Sequence, residues 1–173
     1  MGGKVILTHE GALQFENALN MLDLSLNELR RVADELLPEK LVNEGLKKYL
    51  PEFCKVIELE KNVTFNLFFN NELGRLDELR ESAVFRILKS LIGYILKYSE
   101  ASVITISISH VNKLVTLQLF NNGKGFDLSS PEVSGSKEIA YIKLWVEKIK
   151  GRFQIIPEPN KGNEVIIELD MEN

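Results

Sequence analysis

The stretch best suited to holding a ligand is Asn121-Asn122-Gly123-Lys124-Gly125-Phe126-Asp127, which directly follows a strand-like segment. Glycines let the backbone come close to a bound group and take positive φ values. A lone glycine-x-glycine after a strand is more often an ordinary turn, so the rest of the chain has to weigh in. Nucleophiles and titratable groups are few. Cys54 is the single cysteine and has no histidine close in sequence. It reads as a small buried hydrophobe, and neither a disulfide framework nor a Cys-based metal cage can form. His9 starts a helix, where a solvated first-turn histidine is the default, and His110 falls at a strand end near a turn. Glu10, Asp23, Glu28, Asp34 and Glu35 read most simply as a solvated helix face. Trp145 is expected in the core or beneath the glycine loop.

These residues are positioned by a chain of ordinary composition. It has 173 residues, 45% hydrophobic and 27% charged, with net charge −4. That suffices to bury roughly 70% of the unfolded surface, and the length suggests one domain, or one domain with a helical attachment. Lys89 and Lys97 interrupt the most apolar stretch, Ala83 to Leu96, so no membrane span is expected. The apolar run at Met1 to Leu7 is too short for a signal peptide. Without a Lys/Arg stripe to neutralise phosphates, a nucleic-acid partner is not expected. A cytoplasmic protein is the default.

Phe15, Leu19, Leu22, Leu26, Leu29, Ala33 and Leu36 recur at spacings of four and three. That is the seam of a bundle helix over residues 8–36, with Thr8 as N-cap and Pro38 as terminator. A second helical stretch, Glu39 to about Glu60, should bend or restart at Pro51. Residues 62–69 alternate as a half-buried strand. Asp77 to Tyr98 reads as a buried helix with Leu79, Ala83, Val84, Ile87, Leu88, Leu91, Ile92 and Ile95 inward. Strands 103–110 and 113–120 form a hairpin turning at Val111-Asn112. Helix 137–150 should end with Gly151 as C-cap, and strands 152–156 and 164–170 close the chain. The expected fold class is α+β, a two-layer sandwich with a mostly antiparallel sheet and helices on one face. Residues 1–38 are read as a dimerisation-type helix, 39–61 as a helical linker and 62–173 as the sandwich domain.

The order strand, helix, hairpin, Asn-Gly-Lys-Gly-Phe loop, helix, hairpin resembles the ATP-binding domain of bacterial sensor histidine kinases. Residues 29–41, with Glu44-Gly45-Leu46, resemble the end of the second dimerisation helix and its link to that domain. Gly151 to Ile155 and Asn160 to Val165 resemble the family's closing hairpin. The resemblance implies a nucleotide site built on Lys97, Asn121, Gly123, Gly125 and Gly135. It also shows departures. Ser90 stands at the family's acid position, and a serine is no base near neutral pH without an activating partner. Tyr94 replaces the Mg²⁺ ligand, and a neutral phenol suits that hard cation poorly. Asn121 replaces the Asp that accepts from the adenine amino group, losing charge assistance. The second glycine box falls on Ser136-Lys137-Glu138-Ile139, where Glu138 adds negative charge beside the phosphate position.

Three readings follow. One is a degenerate, pseudokinase-like protein of two-component signalling, holding no cofactor and acting through protein contacts. Its helix 8–36 would pair with itself or with a histidine kinase. A second is an authentic ATP- and Mg²⁺-binding kinase fragment whose phosphoacceptor helix lies elsewhere. The third is a phosphotransfer protein using His9. Fewer than 30 residues separate His9 from Pro38, roughly half of what a two-helix hairpin needs at about 1.5 Å per residue, which disfavours the third.

Overall fold

Alternate burial along the strands builds the sheet. In β2 (Val103–Val111) and β3 (Leu114–Asn121), Ile104, Ile106, Ile108, Val115, Leu117 and Leu119 are buried on one face. The computed structural model describes residues 11, 14–23, 25, 37–70, 73–125, 133, 135–158 and 162–171, and the chain divides into two units, Met1–Pro38 and Glu39–Asn173.

In the first unit, residues 14–23 are α-helical, with Phe15, Leu19 and Leu22 of the expected seam exposed. Asp23 is also exposed there. Thr8, His9, Glu10, Leu26, Glu28, Leu29, Ala33, Asp34, Glu35 and Leu36 lie outside the described residues.

In the second unit, α1 (Glu39–Glu44) and α2 (Leu46–Glu60) lead into β1 (Thr64–Phe69), α3 (Glu78–Tyr98) and the β2–β3 hairpin. Then come α4 (Lys137–Lys148), β4 (Arg152–Glu158) and β5 (Gly162–Asp170). The five strands run in the order β1-β2-β3-β5-β4, with β1 and β2 parallel and every other pair antiparallel. This is the expected α+β sandwich with a mixed, mostly antiparallel sheet. The buried sheet face is extended by Val165, Ile167 and Leu169 of β5, and α3 supplies the largest opposing stripe: Ile87, Leu88, Leu91, Ile92 and Ile95. Each fully buried side chain of that size stabilises by about 1.5–3 kcal/mol. Asp77 caps α3, its carboxylate accepting from the Arg80 amide at 3.0 Å. Among the described residues no helix is long and apolar enough to cross a membrane.

Several local expectations need correction. The helical stretch 39–60 breaks at Gly45, where φ is +84°, and runs on through Pro51 inside α2. A proline at that point costs one intrahelical bond, whereas the positive φ at Gly45 turns the chain outright. Leu79 is exposed, because it lies in the first turn of α3, before the helix runs over the core. The β2–β3 turn sits one residue later than expected, with Asn112 at φ +56°. Gly151 does not supply the left-handed residue after α4; Lys150 does, at φ +52°. Gly151 is small for another reason: a Cβ there would sit 2.9 Å from Leu169 Cδ2.

Candidate functional site

Burial alternation in β3 places Asn121, its last residue, on the helix-facing side of the sheet, fully buried. It lies in register with Asn163, the equally buried second residue of β5. The Asn121 amide oxygen accepts from the Gly123 backbone at 3.1 Å, closing an Asx turn, and its amide nitrogen donates to Asn163 O at 3.5 Å. Gly162 fits against this strand end only because it has no side chain: a Cβ would fall 1.6 Å from Asn121 O.

The following residues are stitched to the end of α3. Asn122 accepts from the Ser102 and Val103 amides at 3.0 and 2.9 Å, and donates to the Ser102 hydroxyl at 2.9 Å. Lys124 N donates to Ser99 O at 2.6 Å, and a Cβ on Gly123 would meet that same oxygen at 2.2 Å. Lys124 also pairs with Glu100. Gly123 therefore serves close packing of the loop on Ser99. Gly125 is exposed, and Phe126 and Asp127 lie outside the described residues.

From α3, Ser90, Tyr94 and Lys97 follow one another at helical spacing, along a face distinct from the core stripe. Ser90 is half-buried. Tyr94 is 3% exposed, its ring tilted against Tyr98 with centroids 4.7 Å apart. Lys97 reaches outward, its ammonium 4.7 Å from the Tyr98 ring centroid and 3.8 Å from the Glu138 carboxylate. The Tyr98 side chain, and behind it Glu138, hold that ammonium above the ordinary lysine pKa.

Glu138 lies in the first turn of α4, where a carboxylate is favoured by the helix macrodipole. Ser136 caps that helix, its hydroxyl accepting from the Ile139 amide at 3.3 Å. Gly135 precedes the cap and is exposed. Trp145 is half-buried rather than in the core, with Arg86 over its ring at 4.9 Å and Lys148 at 4.5 Å. Cys54 is buried, and desolvation followed by the Glu58 charge pushes its thiol up to about 12, so it offers no thiolate near neutral pH. His110 is half-buried, its backbone paired with the Asn70 side chain.

The structure thus draws Tyr94, Lys97, Asn121 and Gly123 to one end of the α3–sheet layer. Sequence reasoning assigned no role to Ser99, Asn122 and Asn163, which hold the loop and strand end, or to Tyr98, which packs on Tyr94 and Lys97. Only the run Asn121-Asn122, rich in residues that bond their own backbone, hinted at them. An open groove of about 500 Å³, lined by Arg152, Phe153, Gln154, Ile166 and Glu168, lies toward the other end of the β4–β5 pair and shares none of the candidate residues.

No protein-family model matches the chain. The histidine-protein kinase/phosphatase DegS of Brevibacillus brevis is 27% identical over 160 residues, covering 92% of this chain and 41% of DegS. The sensor histidine kinase LiaS of Bacillus subtilis is 25% identical over 143 residues, covering 83% of this chain and 39% of LiaS. Among solved structures, the histidine kinase AdeS of Acinetobacter baumannii superposes with a TM-score of 0.63 at 18% identity, covering 99% of this chain and 89% of that one. The chain resembles the C-terminal part of these sensor histidine kinases and has the fold of their ATPase domain. It spans about two fifths of the length of DegS and LiaS.

Proposed function

We propose that this chain, built on the histidine-kinase ATPase fold, is a cytoplasmic two-component signalling protein whose nucleotide pocket no longer does chemistry, and that it acts by protein contact. The carrying observation is Tyr94, buried to 3% exposure at the position where the family resemblance places a metal ligand. Its phenol is a poor Mg²⁺ ligand, and its ring takes up room on the phosphate side.

Neighbouring groups support the same reading. Asn121 is engaged within the fold, its amide oxygen by Gly123 and its nitrogen by Asn163, and it lacks the charge with which an Asp would accept from an adenine. Lys97 faces the Glu138 carboxylate, an internal anion where a phosphate would need a cation. Ser90 cannot replace the missing acid. Phosphoryl transfer rests almost wholly on positioning and on stabilising charge, so the residues present do not fit Mg²⁺-ATP as reactants. The exposed seam residues Phe15, Leu19 and Leu22 support pairing of helix 8–36 with a second copy or with the dimerisation helices of a histidine kinase.

Titration calorimetry tests the reading. The wild-type chain should show no heat of binding with ATP and Mg²⁺ up to about 1 mM. The double variant Ser90→Glu/Tyr94→Asn should gain measurable Mg²⁺-dependent affinity. Micromolar, Mg²⁺-dependent binding by the wild type would overturn the proposal in favour of an active kinase fragment.

A further inference from the structure

The corner between α1 and α2 lacks a cap of its own: no side chain within the corner bonds the first amides of α2. Its caps come from more than thirty residues downstream. Arg75 donates from Nη2 to Val42 O at 3.0 Å and from Nη1 to Asn43 O at 3.1 Å, closing carbonyls at the end of α1. The same guanidinium grips Glu81 through Nε at 3.0 and 3.1 Å and through Nη2 at 2.9 Å. Glu81, 4% exposed, accepts in turn from the Leu46 amide at 3.5 Å and the Leu76 amide at 3.4 Å. One ion pair therefore serves two helix ends, a cation at the carbonyl end of α1 and an anion at the amide end of α2, each matching the local dipole. Gly45 between them has φ +84°, and a Cβ there would meet Arg75 Cδ at 2.5 Å.

Among the described residues little else holds α1. It is six residues long, too short to persist alone. Leu41 is its one buried residue. Lys40 pairs with Glu52 across the corner with both side chains exposed; Arg75 is also about half exposed, but its partner Glu81 is buried, so salt screens that pair less. Beneath the corner, α2 is fixed independently by Leu46, Leu50 and Cys54.

We propose that the Arg75–Glu81 pair is a latch that fixes how α1 lies on the α/β domain. With the latch closed, α1 is a fixed extension of the domain. With it broken, residues 39–45 become a hinge while the sheet and α3 stay folded. The latch works whether or not the candidate pocket holds nucleotide.

Hydrogen–deuterium exchange on the full chain tests this. Arg75→Leu/Glu81→Gln removes both charges together, so no buried carboxylate is stranded. Amides of residues 39–46 should then exchange about tenfold faster or more, with α3 and the β2–β3 hairpin within about twofold of wild type. Gly45→Ala, which strains the latch from the other side, should give the same local pattern even if the double variant fails to fold. Unchanged protection at 39–46 would mean that Leu41 alone anchors α1. Equal loss through α3 would make the pair part of the core. Either result overturns the latch.

Discussion

Helix α3 carries two stripes with opposite logic. On one, Ile87, Leu88, Leu91, Ile92 and Ile95 are at most 1% exposed and form the apolar side of the helix. On the other, Lys97 faces Glu138 from the start of α4 and Tyr94 packs on Tyr98, while Ser99, just past the helix end, bonds the Gly123–Lys124 loop. The first stripe works through area removed from water, which is additive and indifferent to exact partners. The second depends on which polar atom faces which, and one substitution can change its purpose. The proposed loss of chemistry concerns the second stripe alone and leaves the first, and with it the fold, untouched.

That contrast can be tested by substitution. Leu91→Ala, at the centre of the buried stripe, should cost about 2–5 kcal/mol through lost burial and the cavity left behind, read as a lower denaturation midpoint. A cost below about 1 kcal/mol would show that the two stripes do not differ in kind. Gly123→Ala should cost about 1–3 kcal/mol, because its new Cβ would press on the Ser99 carbonyl. Its signature is local: faster exchange at Lys124, with the core unchanged. Glu138→Gln should leave the melting temperature within about 2 °C of wild type, since an exposed pair at 3.8 Å holds little. A larger fall would move that contact from the site to the scaffold.

Legibility followed the same divide. The strands were readable because burial on one sheet face imposes a period of two, and β2, β3 and β5 show it. Most of the α3 core stripe was readable from its helical period; Leu79 was the exception, since periodicity says nothing of where a helix passes beyond its neighbours. The bend at Gly45 was misplaced to Pro51. Proline announces itself in any sequence, whereas the corner is fixed by Arg75 and Glu81 from far along the chain. Gly151 was read as a left-handed cap, yet Lys150 took that conformation and Gly151 answered to crowding from Leu169.

At the site, residue types were legible and their partners were not. Ser90 and Tyr94 could be singled out by their place in the resemblance alone. That Asn121 faces Asn163, that Asn122 and Ser99 bind the glycine loop, and that Glu138 reaches Lys97 required strands β3 and β5 and helices α3 and α4 to be brought together. Local sequence dictates burial because hydrophobic free energy depends on area and period, both readable along one chain. Hydrogen bonds and ion pairs depend on distance and direction between residues remote in sequence, so the Arg75–Glu81 pair and the Asn121–Asn163 contact emerge only when the chain has folded.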